Sequence, residues 1–579
     1  MVPRRLVVLS AACMIAFAGM AARLVALQTL EAPSYVRLAA AQRQRTELFP
    51  ARRGSIFDRA GEPLAISVEV RTIYADPSLV PRPVRAAHAL APILHQRPAA
   101  LEMKLRGTRP GSRFEYLARQ ADPSVWEAIK AARLPGIFAR DEPKRFYPNG
   151  SLASHLLGFT NLDGRGAAGL ELYYDDVLRG RAGRMALEQD PSGRPLPQAG
   201  LVYERAEGGR SLYLTIDEDL QYFTELTLER AARAYGARTA TAIVMRPQSG
   251  EVLAMATVPD FDPNAFSEAA QGDMRNRAVT DVYEPGSAYK IVTLAGALEE
   301  RIVTPRTKLW VPPTLAYADR VFHDSHYHEP ETMSVREIIE QSSNVGTIKL
   351  GLELGAHRLM RYVRGFGFGS ATGLDFPGEA PGIVVPRRRW SGSTVATIPL
   401  GQGIAVTPLQ MAAAYSTLAN GGVWVEPRLV YGTAGEDGRV LAPATPPARR
   451  RVISERTARR VTRMLVGVVE RGTGLLARVP GYRVAGKTGT AQKPLPGGGY
   501  GDSYVSSFGG FAPAGDPEVV ALLTFDEPSP IWGGATAAPV FRSITEYALR
   551  DLGVSPSRNP ERAARRLEAE EPNVPAAHD

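Results

Sequence analysis

Cysteine and lysine are scarce in this chain of 579 residues. Cys13 is the single cysteine, so the chain cannot form a disulfide within itself or bind a metal through a cluster of cysteines. There are 8 lysines against 61 arginines. A buried lysine can lose its proton whereas an arginine cannot, so the few lysines are the cations to examine for base chemistry.

The sequence also has no long basic run and no internal repeat, although its net charge is +9. Scattered arginines carry the excess charge, which is typical of a solvated surface and argues against a nucleic-acid-binding protein. A chain of this length is too long for one compact core, so we expect two or three domains.

Charged residues are almost absent from the amino-terminal segment. Arg4 and Arg5 precede an uncharged stretch, residues 6–22, and the apolar pattern resumes after Arg23. The long side chain of Arg23 can extend its charged end towards the membrane surface. We therefore predict a membrane-spanning anchor over residues 6–30.

The positive charges at the start of the chain predict the orientation of this anchor. They favour a cytoplasmic segment of residues 1–5, with the later residues outside the cytoplasm. The alternative is a signal peptide that is cleaved at the small-residue sequence Ala16-Phe17-Ala18. We favour the anchor because the apolar pattern continues beyond that point.

The rest of the chain divides into three predicted regions. Residues 31–210 are rich in Arg, Pro and Gly and contain short strand-like runs. Residues 211–554 begin with strand patterns, continue with helical patterns and end with strand patterns, which predicts one α+β domain whose sheet joins both ends. Residues 555–579 combine Pro, Arg and Glu with little apolar content and are predicted to be a disordered tail.

Ser287 is the only serine that is followed three residues later by a lysine, Lys290. On a helix these two positions share a face, so the hydroxyl and the amine can meet. Such a pair joins a nucleophile with a base, provided that burial or neighbouring charge lowers the pKa of the lysine. The preceding Pro285-Gly286 can turn the chain so that Ser287 opens the helix, where free N–H groups stabilise negative charge.

Ser342-Ser343-Asn344 forms a second motif, just before an apolar helical pattern. The hydroxyl of Ser342 can relay protons, and the side chain of Asn344 can hold a substrate amide.

Lys487-Thr488-Gly489-Thr490 forms a third motif inside a strand-like run. The positive charge of Lys487 can keep a nearby amine deprotonated and attract a carboxylate, which the two threonine hydroxyls can bind. Gly489, together with Gly486, lets a substrate approach the strand edge closely.

Each motif has an ordinary structural explanation when it is taken alone: a solvated helix face, a helix cap and a turn. Their occurrence in this order, with fitting local structure, predicts a serine acyl-transfer site instead. The backbone N–H groups of Ser287 and Thr490 are candidates for its oxyanion hole.

The three motifs, Ser-x-x-Lys, Ser-x-Asn and Lys-Thr-Gly, together resemble those of penicillin-binding proteins and serine β-lactamases. Over nearly its full length the chain resembles a class B penicillin-binding protein. The segments that carry this resemblance outside the motifs are residues 53–65, 145–148, 155–158, 169–171, 178–180, 401–410, 507–513 and 533–539.

The resemblance implies a fold for each region. Residues 211–554 would form an α+β transpeptidase domain of the penicillin-binding and serine β-lactamase type. Residues 31–210 would form an elongated pedestal of the dimerisation type, and a single transmembrane helix would precede it. Neither a cofactor nor a metal is implied.

The resemblance also implies the role of each matched residue. Ser287 would be acylated by the penultimate D-Ala of a peptidoglycan stem peptide, with release of the terminal D-Ala, and Lys290 would be the general base. Ser342 and Asn344 would assist proton transfer and substrate binding. The residues that would bind the substrate or the carboxylate of a β-lactam are Lys487, Thr488, Gly489 and Thr490.

The sequence around the first two motifs suggests a branch of the family. Glu284-Pro285-Gly286 and Val345-Gly346 resemble the division branch, which implies a role in septal cell-wall synthesis in the bacterial cytoplasmic membrane. Elongation-type and sporulation-type roles are the alternatives. The implied partners are stem peptides, β-lactam antibiotics, the membrane, divisome proteins and a multi-spanning glycan polymerase, but not nucleic acid.

Two further functions are open. A serine β-lactamase shares the three motifs but needs neither a membrane anchor nor a pedestal. A catalytically silent scaffold would only activate a glycan polymerase, although the complete set of motifs argues against this.

Polar residues crowd between the first two motifs, at His323, Asp324, His326, His328 and Glu329. Histidine and aspartate are proper zinc ligands, so a metal site is one interpretation. We favour the other, a polar surface loop, and predict no metal site.

Overall fold

The computed structural model describes residues 3–35, 44–188, 202–435, 438–442, 445–495 and 497–556. Packing divides the chain into two compact units, Met1–Arg52 with Arg179–Gly209 and Arg53–Leu178 with Arg210–Asp579. Most of the predicted tail, residues 557–579, lies outside the described residues. The domain boundaries proposed from the sequence stay predictions.

The region before residue 210 contains both strands and helices. The strands are β1 (Gln44–Phe49), β2 (Ile56–Phe57), β3 (Pro63–Ala75), β4 (Glu115–Ala121), β5 (Ile137–Phe146), β6 (Gly183–Glu188) and β7 (Val202–Glu204). The helices are α1 (Arg4–Val25), α2 (Pro83–Leu94), α3 (Pro98–Leu105), α4 (Pro123–Ala131), α5 (Ser154–Leu157), α6 (Gly169–Tyr173) and α7 (Asp175–Leu178).

The region after residue 210 contains the longer elements. Its strands are β8 (Ser211–Leu214), β9 (Thr239–Met245), β10 (Val252–Val258), β11 (Lys308–Val311), β12 (Thr314–Tyr317), β13 (Arg320–His323), β14 (Glu331–Ser334), β15 (Ile383–Val384), β16 (Ile404–Ala405), β17 (Val423–Val425), β18 (Val430–Ala434), β19 (Val440–Leu441), β20 (Arg449–Arg451), β21 (Ala485–Pro494), β22 (Tyr500–Ala512) and β23 (Val519–Asp526). Its helices are α8 (Glu218–Ala234), α9 (Arg277–Thr280), α10 (Lys290–Glu299), α11 (Val335–Glu340), α12 (Asn344–Gly365), α13 (Thr394–Thr397), α14 (Pro408–Ala419), α15 (Glu455–Arg471) and α16 (Ala537–Asp551).

The first unit holds α1, the helix that the sequence predicts to be the anchor. A π-helical segment, Ala26–Leu30, continues α1, and the combined helix of 27 residues is long and apolar enough to cross a membrane. The same unit contains a three-stranded antiparallel sheet in the order β1-β6-β7.

In the second unit, strands from before and after residue 210 share one sheet in the order β19-β18-β8-β2-β3-β4, with β5 also paired to β3. Three buried charged residues join distant segments of the same unit. The carboxylate of Glu171 accepts hydrogen bonds from Arg53 Nε at 2.7 Å and Arg145 Nε at 2.5 Å. One carboxylate therefore holds together three sequence motifs of the predicted pedestal.

The predicted sheet that joins both ends of the later region is present. Its order is β10-β9-β23-β22-β21, and every neighbouring pair is antiparallel. The early strands β9 and β10 therefore join the last three strands through the pairing of β9 with β23. This arrangement of strands and helices confirms the predicted α+β fold.

Alternate side chains of this sheet face two different cores, as the pleat of a strand requires. Ile243 and Met245 of β9 lie in the core that contains Tyr415 of α14. Val244 lies in the other core, with Leu228 of α8 and side chains of α16. Because helices cover both faces, the sheet is a rigid support for β21, its outermost strand.

Candidate active site

Ser287 lies in a 3₁₀ turn, Gly286–Tyr289, and Lys290 is the first residue of α10. The sequence predicts that Ser287 opens the helix, and the structure places it just before α10 instead. Residues three apart eclipse each other in a 3₁₀ turn, so the two side chains still share one side. Ser287 is partly exposed and Lys290 is fully buried. In the described part of the chain the Ser287 hydroxyl has no hydrogen-bond partner, so it is not held by Lys290.

The Lys290 amine reaches the second motif. Its Nζ donates to the Ser342 carbonyl oxygen at 2.6 Å, to Asn344 Oδ1 at 2.8 Å and to Ser342 Oγ at 3.3 Å. The two motifs are 52 residues apart in the sequence, and these contacts bring them together as predicted.

Ser342 has an unusual backbone conformation. Its φ is +62°, in the left-handed region that residues other than glycine rarely adopt. This turn lies between α11 and α12, and both the carbonyl and the hydroxyl of Ser342 accept hydrogen bonds from Lys290. Strain of this kind concentrates at functional sites.

Lys487 of β21 is also fully buried, and its amine contacts the same Ser342 hydroxyl as Lys290. Its Nζ donates to Ser342 Oγ at 2.9 Å, and to the carbonyl oxygen and Oγ1 of Thr488, both at 3.2 Å. Ser342 Oγ thus accepts hydrogen bonds from both lysines, and all three motifs converge on it.

The two buried lysines have lowered pKa values. Burial lowers the pKa of Lys290 to about 7, and the negative charge of Asp324 limits this fall. Burial and the neighbouring Lys290 charge lower the pKa of Lys487 well below its ordinary value. Neutral amine, the form that accepts a proton, is therefore available at Lys290 near neutral pH.

The glycine of the third motif allows β21 to lie directly against the turn that carries Ser287. A Cβ atom at Gly489 would lie 2.2 Å from Ser507 Oγ and 3.1 Å from Ala288 Cβ and the Pro285 carbonyl oxygen. No side chain fits there without displacing a neighbour. The close approach keeps the strand edge beside the turn that carries Ser287.

The two threonines of the third motif hold different positions. Thr488 Oγ1 contacts Thr473 Oγ1 at 2.8 Å as well as Lys487. Thr490 Oγ1 accepts a hydrogen bond from the N–H of Gly533 at 3.2 Å. A Cβ atom at Gly286 would lie 3.1 Å from the Thr490 carbonyl oxygen. The strand segment around Thr490 is therefore adjacent to the Ser287 turn, as an oxyanion hole that uses both N–H groups requires.

Glu284 supports the turn from the other side. Its carboxylate accepts hydrogen bonds from the Gly403 N–H at 2.9 Å and the Tyr500 hydroxyl at 3.0 Å. Sequence inspection singled out Glu284 only as a family feature, and the contact with Tyr500 on β22 had no sequence signal.

Asp324 is the residue whose importance the sequence analysis missed. It belongs to the polar cluster between the first two motifs, and its carboxylate accepts hydrogen bonds from the Asn344 and Val345 N–H groups and from the Ser343 hydroxyl. Among the described residues, no group of three or more His, Cys, Asp and Glu side chains has the arrangement to hold a metal ion. Asp324 thus supports the second motif from a separate loop.

Two protein-family models match the chain. A model of the penicillin binding protein transpeptidase domain matches residues 240–546, which is more than half of the chain, and a model of the penicillin-binding protein dimerisation domain matches residues 48–214. Both matches agree with the resemblance found in the sequence motifs.

Several characterised proteins are similar along most of their length. The chain is 36% identical over 572 residues to the penicillin-binding protein PbpB of Mycobacterium tuberculosis, covering 93% of this chain and 84% of that protein. It is 34% identical over 564 residues to the peptidoglycan D,D-transpeptidase FtsI of Escherichia coli, covering 95% and 92%. It is also 34% identical over 528 residues to the stage V sporulation protein D of Bacillus subtilis, covering 88% and 80%.

Solved structures share the fold. The crystal structure of penicillin binding protein 3 from Mycobacterium tuberculosis in complex with ampicillin has a TM-score of 0.71 and 32% identity, and the match covers 89% of this chain and 98% of that one. A peptidoglycan synthetase from Bifidobacterium adolescentis has a TM-score of 0.73 and 29% identity, over 89% and 98% of the two chains. By its motifs, its fold and these similarities, the chain belongs to the class B penicillin-binding proteins, whose transpeptidase domain is a serine acyltransferase-type domain.

Proposed function

We propose that this protein is a peptidoglycan D,D-transpeptidase that cross-links stem peptides through an acyl-enzyme on Ser287. The observation that carries the proposal is the convergence of Lys290 and Lys487 on the Ser342 hydroxyl, with the partly exposed Ser287 in the turn just before Lys290. This arrangement supplies a nucleophile, a neutral amine and a proton relay in one buried cluster.

In the first step, the neutral amine of Lys290 takes the proton of the Ser287 hydroxyl. At the same time the Ser287 oxygen attacks the carbonyl carbon of the penultimate D-Ala. The N–H groups of Ser287 and Thr490 stabilise the oxyanion. The C–N bond to the terminal D-Ala then breaks, and the leaving amine takes up a proton through Lys290 and Ser342. The products are the serine ester and free D-Ala.

In the second step, an amine of another stem peptide attacks the ester carbonyl. It gives up a proton to the neutral base, the ester C–O bond breaks, and the Ser287 oxygen recovers its proton. A new amide bond, the cross-link, remains. The amide side chain of Asn344 holds the substrate backbone during both steps.

The carboxylate of the substrate binds to the third motif. Thr488 and Thr490 present hydroxyl groups along β21, and Lys487 is beside them. A bound carboxylate raises the proton affinity of Lys487, because an opposite charge favours the protonated amine. Lys487 then supplies positive charge next to the neutral Lys290. The carboxylate of a β-lactam meets the same groups.

Helix α1 and the relatives support a proposal for the setting of this reaction. We assign the protein to the bacterial cytoplasmic membrane as a single-pass protein whose catalytic domain lies outside the cytoplasm. A septal role is supported by the similarity to FtsI, with elongation and sporulation roles as the alternatives. The partners we propose are stem peptides, β-lactams, divisome proteins and a multi-spanning glycan polymerase.

Labelling with a fluorescent penicillin tests the catalytic proposal. We expect the wild-type protein to form a stable fluorescent adduct and the Ser287→Ala variant to form none. Ser267→Ala, an exposed serine outside the site, is the matched control and should label like the wild type. An unlabelled wild-type protein would favour the scaffold function, and rapid loss of the adduct with hydrolysis of penicillin would favour a β-lactamase.

A further inference from the structure

Asp324 and His328 lie in the connection between β13 and β14, outside the three motifs. The Asp324 side chain is only 6% exposed. It accepts hydrogen bonds from the Val345 N–H at 3.0 Å, from Ser343 Oγ at 2.8 Å and from the Asn344 N–H. One carboxylate from a distant loop therefore caps the N-terminus of α12, where the second motif is located.

The same loop fixes the side chain of Asn344. Its Nδ2 donates to the His323 carbonyl oxygen at 2.8 Å, so its Oδ1 must face the opposite way, where it accepts from Lys290 Nζ at 2.8 Å. Asp324 holds the backbone of Asn344. His323, the residue before Asp324, orients the side-chain amide of Asn344. The position of the Lys290 amine thus depends on His323 and Asp324, at the end of β13.

His328 completes the arrangement from the solvent side. Its Nε2 lies 2.9 Å from Asp324 Oδ2, and its Nδ1 lies 2.8 Å from the Glu329 carbonyl oxygen and 3.6 Å from Glu331 Oε1. Partial burial opposes protonation of His328, but these acceptors outweigh it and raise the pKa of the ring. Acceptors face both ring nitrogens, so the ring is suited to carry a positive charge beside Asp324.

We propose that Asp324 and His328 are positioning residues that act as a charge pair on the catalytic cluster. Asp324 fixes the second motif and places a negative charge on the side of Lys290, and His328 orients and partly neutralises that charge. The proposal rests on the assignment of Lys290 as the base.

Opposite effects of the two residues on the pH profile distinguish this role from a merely structural one. The charged groups that influence Lys290 are Lys487 from β21 and Asp324 from the β13–β14 loop. His328 lies against Asp324, and Glu331 lies against His328. A negative charge stabilises protonated lysine. Removing the charge of Asp324 should therefore lower the pH at which the base becomes active, and removing the charge of His328 should raise it.

The test measures the rate of acylation by fluorescent penicillin against pH. For Asp324→Asn we expect the acidic limb of the profile to move to lower pH, and the plateau rate to fall about tenfold or more because hydrogen bonds to a charged group are lost. For His328→Gln, which keeps a donor for Asp324, we expect a nearly unchanged plateau and a limb at higher pH. Asp319→Asn removes an exposed charge from the preceding turn and should leave the profile unchanged.

His328 is on the surface of the loop, so its variant keeps the test informative if Asp324→Asn fails to fold. An unmoved limb in His328→Gln, or limbs that move in the same direction in both variants, would overturn the charge-pair role. A wild-type protein that does not label would overturn the proposed function and this inference with it. If the wild type labels and Asp324→Asn has the same profile as Asp319→Asn, this inference alone is overturned.

Discussion

Lys290 and Lys487 differ from the other lysines in their surroundings. Both are fully buried, whereas the six others, all in the described part of the chain, keep part of their side chains exposed. Lys493, for example, pairs with Asp526 at 2.8 Å and Glu527 at 2.6 Å. The scarcity of lysine in the sequence drew attention to all eight, and burial separates these two from the rest.

The burial of Lys290 predicts how acylation depends on pH. If Lys290 is the base, as proposed, its neutral amine is the active form. Burial brings its pKa to about 7, so the rate of acylation should rise with pH through about 7 and then level off. Lys290→Arg holds a permanent charge and should acylate about 10²–10⁴-fold more slowly at every pH. Stopped-flow labelling with fluorescent penicillin measures both.

The exposed Lys130→Arg variant is the control for this substitution, since Lys130 is on α4 and far along the chain from the three motifs. It should follow the wild-type profile. A rate for the wild type that does not change between pH 5.5 and 8.5 would contradict the assignment of Lys290 as the base.

At the scale of single elements, the connection between α11 and α12 shows how local conformation produces the site. Ser342 adopts a left-handed conformation there, and Ser343 caps α12 by accepting a hydrogen bond from the Gly346 N–H at 2.9 Å. The turn presents two groups of Ser342 to the lysines, and α12 carries Asn344 at its first residue.

Two variants of Ser342 separate the role of its hydroxyl from that of its backbone. Ser342→Ala and Ser342→Gly both lose the hydroxyl, so both should acylate much more slowly than the wild type. Only the alanine keeps a Cβ atom at φ +62°, so the glycine variant should be more stable than the alanine variant by about 1 kcal/mol. Urea unfolding measures the difference, and equal stabilities would show that this turn carries no strain.

Much of the later region could be predicted from its hydrophobic patterns. Its apolar patterns predict a helix at residues 220–235 and strands at 240–245 and 518–525, and these correspond to α8, β9 and β23. Two of the longer helices differ from the sequence patterns. The pattern predicts a helix at 345–354 that ends near Gly355, whose φ is +76°, yet a helical segment continues to residue 365 beyond this kink. The second is α16, which was not predicted and has a proline in its first turn.

The candidate site was predictable as a set of residues and not as a set of contacts. The three motifs have fixed spacing within themselves, so Ser287, Lys290 and Lys487 were found from the sequence. Asp324 was not, because a capping carboxylate from a separate loop has no fixed spacing to the helix that it caps. Such long-range contacts depend on the packing of the whole domain.

At the scale of the whole molecule, buried charge joins segments that are far apart in the sequence. Glu171 is 0% exposed and contacts two arginines whose side chains are 7% and 2% exposed. Charges this deeply buried are tolerated only when each has a partner. The three segments thus depend on one another.

Glu171→Gln should destabilise the second unit, because it removes the negative charge between two buried guanidinium groups. We expect a loss of about 3–5 kcal/mol in the free energy of unfolding. The control is Asp163→Asn, which breaks an ion pair of Arg119 with a carboxylate that is 67% exposed, and should cost at most about 1 kcal/mol. Thermal and urea unfolding measure both, and similar losses in the two variants would contradict the structural role of Glu171.

The order of strands in the five-stranded sheet has a consequence for the biosynthesis of the protein. β9 lies between β10 and β23, and β21 joins the sheet only through β22, so strands made early have to wait for strands made last. Pairing of this kind forms slowly, because it closes a very long loop. A nascent chain that has not yet exposed residues 485–526 has Ser287 but no partner strand beside it. The three motifs can therefore come together only after residues 485–526 have been synthesised, long after Ser287 itself.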